Sequence, residues 1–397
     1  MKLAYLFDRF PSFTRTFCLR EIQGLQHHGV KPLIVSLQNP NDELVQGSIA
    51  SVHYLPEAQE IKKQFFQKEN LNKKRKKILR HWGEKGDKQR IYEAGYIGQL
   101  LKQSRISHIH AHFAGTAART AYWIKKLYGI PFSFTAHAND FFCHSDYPVT
   151  LNDLFISASF IVTVSDFSVS ELQKRFPQAR KKIHRVYNGI DLNQFPVTQP
   201  QNNPPLLLSI GRLIEKKGFT PLIEACAILK SRGLTFRCEI IGEGPLEQTL
   251  QQQIKQHHLQ NEVQLLGPQS QPFVLEKLQK SYLFALPCVT ESDGGKDNLP
   301  TVIVEAMACG LPIVSTYLAG VPEMVIHELN GLLVEEKNVS QLATALEALL
   351  KNPEQVAQFG KKSRQLAEEK FSLIITTQQL KNLFLRYRPF WRRWLRI

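Results

Sequence analysis

The sequence predicts an α/β chain folded as two doubly wound parallel-sheet domains that face a cleft, and three observations carry that reading. At 397 residues it is too long for one ordinary core, which favours two domains of about 150 to 200 residues each. Short β-type runs alternate with longer helical stretches through both halves, the rhythm of βαβ units. A segment dense in proline and side-chain amides separates the two series.

The first series comprises the runs Leu3–Phe7, Leu33–Leu37, His108–Phe113, Phe132–His137, Phe160–Ser165 and Ile183–Tyr187. The linker is Pro196-Val-Thr-Gln-Pro-Gln-Asn-Asn-Pro-Pro205, where periodicity stops. The second series is Leu206–Ile210, Phe236–Ile241, Val263–Leu266, Leu283–Pro287, Ile313–Ser315 and Leu332–Val334. The division therefore falls between 1–198 and 199–373, and no short repeat points to a solenoid. Open α/β sheets bind ligands beyond the carboxyl ends of their strands, so motifs that directly follow a strand carry most weight.

Hydrophobic residues make up 43% and charged residues 21%, a globular balance that excludes a mostly disordered chain. The formal net charge of +15 favours anionic partners: nucleic acid, lipid headgroups or phosphorylated substrates. Basic residues concentrate within 57–90, where Lys73–Arg80 stand beside Trp82, and in the tail Arg386–Ile397, which interleaves arginine with Trp391 and Trp394. Both segments suit an anionic membrane surface. Six cysteines without a CxxC pair point to a reducing cytosol. Asp8 and Arg9 interrupt the apolar start too early for a signal-peptide core. No run approaches the roughly 18 apolar residues of a spanning helix, so any membrane contact is expected to be peripheral, on the cytoplasmic face.

The most informative stretch is Glu291-Ser-Asp-Gly-Gly-Lys-Asp-Asn-Leu-Pro-Thr-Val-Ile-Val-Glu-Ala-Met-Ala-Cys-Gly310. Pro300 suits a first turn, Val302–Cys309 has a helical pattern, and Gly310 followed by Leu311-Pro312 stops it. The amino end of such a helix offers backbone N–H groups to a phosphate. Asp297 in the loop and Glu305 one turn into the helix are placed for one ligand; the plainer reading makes Asp297 a dipole partner and leaves Glu305 solvated. Arg212 and Lys217 follow the run Leu206–Ile210, with Gly211 and Gly218 permitting close backbone approach, while Lys216 reads as a solvated surface lysine. Gly242 marks a further strand-end turn.

In the first half, Phe134-Thr-Ala-His-Ala-Asn-Asp140 puts His137 and Asp140 at a strand end. His108, His110 and His112 alternate along another run and share a face; without cysteine or carboxylate partners at ligand spacing they are not read as a metal site. The chain lacks G-x-x-x-x-G-K-[ST] and an opening strand-G-x-G-x-x-G unit, which argues against an NTPase or a dehydrogenase.

Together these segments resemble the family-4 retaining glycosyltransferases, of the two-Rossmann-domain architecture called GT-B, from Phe10 to about Phe371. The most specific part is a pair of carboxylates separated by seven residues, Asp297 and Glu305, followed by Ala306-Met-Ala-Cys-Gly-Leu-Pro312. The S-x-G-R-L-x-x-x-K-G pattern of Ser209–Gly218, the Asn188-Gly-Ile-Asp191 turn and His137 in F-T-x-H-x-x-D follow in the family's order.

The resemblance implies transfer of a sugar from a nucleoside-diphosphate donor to a saccharide or lipid-linked acceptor, with no cofactor and no metal. It implies that Arg212 and Lys217 bind the diphosphate, that Glu305 holds the ribose hydroxyls, that Asp297 meets the sugar ring, and that His137 lies beside the transferred sugar. The donor-binding set is then Gly211, Arg212, Lys217, Gly242, Asp297, Asn298, Leu299, Pro300, Thr301 and Glu305, with His137, Arg212, Lys217 and Asp297 catalytic. It further implies that 374–397 cross back onto the first domain. Two departures stand out. The first motif carboxylate is usually Glu and is Asp297 here, and the usual amino-terminal glycine loop is replaced by Phe10-Pro-Ser-Phe-Thr-Arg-Thr-Phe17 with Glu21 following. That second feature resembles a subgroup associated with bacterial polysaccharide and lipid-linked sugar assembly.

Two other classes compete. A nucleotide-sugar epimerase or a sugar phosphorylase on the same architecture needs its own acid/base carboxylates or a pyridoxal cofactor, and neither signature is evident. A noncatalytic nucleic-acid module explains the charge but not the acidic motif, and no nucleic-acid fold signature is present.

Overall fold

The computed structural model describes residues 2–12, 16–40, 51–68, 87–137, 140, 147–197 and 204–387. The basic run Lys73–Arg80, Trp82, Cys143 and the tail beyond Tyr387 lie outside the described residues. Two compact units form: Met1–Val164 with Val169–Tyr187 and the chain from Thr376, and Ser165–Ser168 with Asn188–Ile375.

In the first unit, seven parallel strands are ordered β3-β2-β1-β4-β5-β6-β7: β1 (Leu3–Arg9), β2 (Leu33–Gln38), β3 (Val52–Tyr54), β4 (His108–His112), β5 (Phe132–Ala136), β6 (Ile161–Thr163) and β7 (Ile183–Arg185). Strand side chains alternate between faces, and β1 shows why both faces are covered. Ala4 and Leu6 join a core with Trp123 and Ile124 of the helix Thr116–Tyr128. Leu3, Tyr5 and Phe7 join a second core with Cys18, Ile22 and Leu25 of the helix Thr16–His27. Each fully buried Leu or Phe contributes about 1.5 to 3 kcal/mol. Leu380 and Phe384 of the helix Leu373–Arg386 complete this second core, and Lys381 Nζ donates to the His28 carbonyl at 2.9 Å.

The second unit has six parallel strands ordered β10-β9-β8-β11-β12-β13: β8 (Leu206–Ile210), β9 (Arg237–Ile241), β10 (Val263–Leu265), β11 (Leu283–Leu286), β12 (Ile313–Thr316) and β13 (Gly331–Val334). Strand order reverses between β8 and β11, so their following loops diverge and leave a crevice at the switch point.

The units divide at Tyr187–Asn188, eight residues before the proline-marked linker begins at Pro196. Asn188 onward belongs to the second unit because Ile190 bridges to Ser372, Phe195 is buried, and Arg364 Nη1 donates to the Phe195 carbonyl at 2.7 Å. Strand β3 has no counterpart among the sequence runs. It is three residues long and lies at the sheet edge with Tyr54 exposed, so it carries no apolar signature.

Candidate functional site

The switch point of the second sheet gathers most of the residues singled out in the sequence. The chain leaves β8 through Gly211 and Arg212, forms the short turn Glu215–Lys217, and enters the helix Phe219–Ser231 through Gly218. Gly218 has φ +72°, and a Cβ there would lie 1.8 Å from the Pro287 carbonyl oxygen at the end of β11. Only glycine allows that approach, which sets the Glu215–Lys217 turn directly against the neighbouring strand end. Gly242 likewise passes so close to the Gly211 carbonyl that a Cβ would sit 1.9 Å from it.

The Lys217 side chain runs back over Gly211, and its ammonium pairs with Asp297 from the loop after β11. Both are largely enclosed, with side chains 12% and 21% exposed. Burial disfavours the Lys217 charge, yet the Asp297 carboxylate outweighs it and the lysine pKa is raised. Arg212 is exposed and, among the described residues, has no carboxylate partner. Lys216 is not the solvated lysine expected: its side chain is 13% exposed and pairs with Glu291 at 3.4 Å, because the loop after β11 folds over the turn.

The helix Thr301–Ala308 starts at Pro300 with no side-chain cap, and its first turn contains no acidic residue. Its end follows the sequence reading: Gly310 has φ +78° and its N–H donates to the Met307 carbonyl at 3.0 Å. Glu305 is buried at 7% exposure, which removes the solvated alternative. Leu299 and Pro300 are buried, and Thr301 is half-buried. Asn298 is buried with its amide committed within this unit: Ser165 Oγ donates to its Oδ1 at 2.7 Å, and its Nδ2 donates to Ser168 Oγ. Its side chain therefore anchors the loop from below.

His137 belongs to the first unit, at the end of β5. Its N–H donates to Asp140 Oδ2 at 2.8 Å, and the Asp140 N–H returns to its carbonyl at 2.9 Å. Burial pushes the Asp140 carboxyl up to about 6 against the opposing N–H groups of His137 and Ala114. The Phe113 ring packs 4.5 Å from the His137 ring, held there by a backbone at φ +69° that is costly for a bulky residue.

The alternating histidines of β4 are all buried, and the partners of the first two differ from those of the third. His108 and His110 share Ser133 Oγ at 2.8 Å each, and His110 also meets Thr135 Oγ1 at 2.9 Å. Burial lowers the His108 pKa to about 3 and holds that of His110 well below the ordinary histidine value. His112 faces Glu21, its Nε2 lying 3.0 Å from Oε1, and the Tyr5 hydroxyl donates to the same oxygen. Burial alone would lower His112; Cys18 and Glu21 outweigh it and push it up to about 10. Glu21 in turn is opposed by burial but held below the ordinary carboxylate range by His112 and Tyr5. Sequence spacing gave no sign of this pair, whose members stand 91 positions apart.

Known proteins match both units. A model described as Glycosyltransferase Family 4 covers residues 15–194, and one described as Glycosyl transferases group 1 covers 191–366. The putative colanic acid biosynthesis glycosyltransferase WcaL of Escherichia coli is 36% identical over 208 residues, 51% of this chain and 51% of that protein. The amylovoran biosynthesis glycosyltransferase AmsK of Erwinia amylovora is 35% identical over 208 residues, 52% of this chain and 51% of its own length. The chain thus spans about half the length of these curated relatives. The Anabaena protein HepE, solved in complex with UDP, is similar in fold at TM-score 0.73 and 18% identity, covering 97% of this chain and 100% of that one.

Proposed function

The chain belongs to the family-4 glycosyltransferases, of GT-B fold, and on that premise we propose that it is a retaining enzyme that moves a hexose from a nucleoside-diphosphate sugar to a saccharide or lipid-linked acceptor. The relatives named for colanic acid and amylovoran biosynthesis support a role in cell-surface polysaccharide or glycolipid synthesis. The observation that carries the donor reading is the arrangement at the second sheet's switch point. The enclosed Lys217–Asp297 pair, the exposed Arg212 and the uncapped start of Thr301–Ala308 all belong to this unit.

In this reading the bond from the sugar's anomeric carbon to the phosphate oxygen breaks, negative charge grows on the departing diphosphate, and the acceptor hydroxyl oxygen bonds to that carbon as its proton passes to the diphosphate. Arg212, Lys217 and the helix N–H groups are aimed at that charge, so they stabilise the transition state more than the bound substrate. Glu305 accepts hydrogen bonds from the ribose hydroxyls, Asp297 meets the sugar ring, and His137 lies beside the transferred sugar. Gly211 and Gly242 give the backbone close approach, and no metal ion is required.

The test is a panel of nucleotide sugars incubated with the protein and followed for slow acceptor-free hydrolysis. One or a few donors are consumed, and a chelator leaves the rate unchanged; no hydrolysis or transfer with any donor overturns the reading. An anionic membrane surface is a further proposed partner, through Lys73–Arg80 and the tail from Arg386, at the cytoplasmic face. Among the described residues no helix is long and apolar enough to cross a membrane. Flotation with anionic liposomes at low salt tests the contact, and failure to float removes it.

A further inference from the structure

We propose that Glu21 and His112 are positioning residues for His137, holding its imidazole neutral with the proton on Nδ1 and with Nε2 turned toward His112. An ionised carboxylate only accepts, so the 3.0 Å contact from Glu21 Oε1 puts a proton on His112 Nε2. His112 Nδ1 then lies 3.5 Å from His137 Nε2, a long contact in which one of the two nitrogens carries the hydrogen.

Two arrangements satisfy that contact, and the charge on His112 selects between them. A neutral His112 has its only proton on Nε2, so His137 must donate and carries its own proton on Nε2. A charged His112 donates from Nδ1, so His137 Nε2 accepts and its proton sits on Nδ1. The surroundings favour the charged ring. Glu21 faces it from the helix Thr16–His27, and Tyr5 on β1 donates to the same carboxylate oxygen. The next histidine along the strand, His110, is kept neutral by burial. On the other side of His137, Asp140 spends its Oδ2 on the His137 backbone N–H.

A cation beside His137 also disfavours a second positive charge on that ring. A neutral His137 is a hydrogen-bond partner for a sugar hydroxyl and not a counter-ion for the diphosphate. That consequence rests on the proposed placement of His137 beside the sugar; the tautomer does not.

The measurement is long-range ¹H–¹⁵N correlation on the full chain with ¹⁵N-labelled histidine, His137 being assigned by loss of its signals in His137→Asn. In the wild type at neutral pH, His112 is doubly protonated and His137 is neutral with Nδ1–H. In Glu21→Gln and His112→Gln, His137 changes tautomer or titrates near the ordinary histidine value of about 6.5. A wild-type His137 that is charged or carries its proton on Nε2 overturns the proposal, as does a His137 signature unchanged in both variants. If neither variant folds, the wild-type spectrum alone decides. In transfer assays Glu21→Gln lowers kcat about tenfold with the donor KM unchanged. Should His137→Asn leave transfer untouched while the spectrum is as expected, the placement beside the sugar fails and the positioning by Glu21 and His112 stands.

Discussion

Lys217 and Asp297 form an ion pair that ties the turn after β8 to the loop after β11 across the switch point of the second sheet. Each neutralises the other, so a bound diphosphate meets a cation that already has a counter-ion. If Asp297 meets the sugar ring, it must serve the substrate and the lysine together. Asp297→Ala is then expected to lower transfer on the order of 10²-fold, the scale of losing one preorganised polar contact. Asp297→Glu, which restores the family's usual residue, should change the preferred sugar or the rate. Kinetics across the donor panel check both, and wild-type values for both variants would reduce Asp297 to a partner of Lys217.

Glu305 is a buried carboxylate on the helix Thr301–Ala308. Exchange for the isosteric amide keeps the shape and removes the charge that strengthens hydrogen bonds from hydroxyls. Glu305→Gln should weaken donor binding about tenfold, or ~1.4 kcal/mol, while leaving the fold intact. Calorimetric titration with the active donor reads this directly, and unchanged affinity would take the ribose contact away from Glu305.

The Glu21–His112 pair predicts a pH dependence of stability with a definite sign. His112 is raised from 6.5 to about 10, so its stabilisation is complete below 6.5 and is lost as pH rises toward 10. Glu21 is lowered, so its contribution is present above 4.5 and is lost as pH falls below that value. The stability gap between wild type and the double variant Glu21→Gln/His112→Gln should therefore be widest between those limits and shrink on both sides. Removing one partner alone, as in Glu21→Ala, leaves His112 to burial, which lowers its pKa, so the ring is expected to shed its proton and the stability advantage over the double variant to disappear. Denaturant titrations across pH provide the check; a gap that does not vary with pH would mean the pair is not ionised.

Gly218 and Gly233 offer a matched comparison. Both have positive φ, +72° and +75°, but a Cβ on Gly218 strikes the Pro287 carbonyl while one on Gly233 meets nothing within 4 Å. Gly233→Ala should cost only the left-handed backbone term of about 1 to 2 kcal/mol. Gly218→Ala should cost more and also slow transfer, since it pushes the Lys217 turn off β11. Equal losses of stability with equal activity would show that this close approach does not position Lys217.

Much of this was legible in the sequence because the signals are local. Runs such as Leu206–Ile210 and the stop at Gly310 depend on neighbours a few positions away, and so did the glycine spacing around Lys217. What stayed hidden depends on topology. Glu21 and His112 meet because the helix Thr16–His27 packs on the face that β4 presents, and nothing in the alternation of His108, His110 and His112 distinguishes the one whose pKa is raised from the two whose pKa values are lowered. Asn298 reads in sequence as a donor contact, yet its amide is taken by Ser165 and Ser168, more than a hundred positions earlier. The Lys217–Asp297 contact likewise needed the β8–β11 adjacency before two separately assigned residues became one pair.

On the proposed function, the second unit grips a diphosphate through Arg212 and Lys217. Calorimetric binding of a nucleoside diphosphate and of the uncharged nucleoside, to wild type, Arg212→Ala and Lys217→Ala, tests it most directly. Each variant is expected to bind the diphosphate at least about tenfold more weakly, a loss of ~1.4 kcal/mol, with nucleoside binding unchanged. Diphosphate affinity equal to wild type in both variants would contradict it.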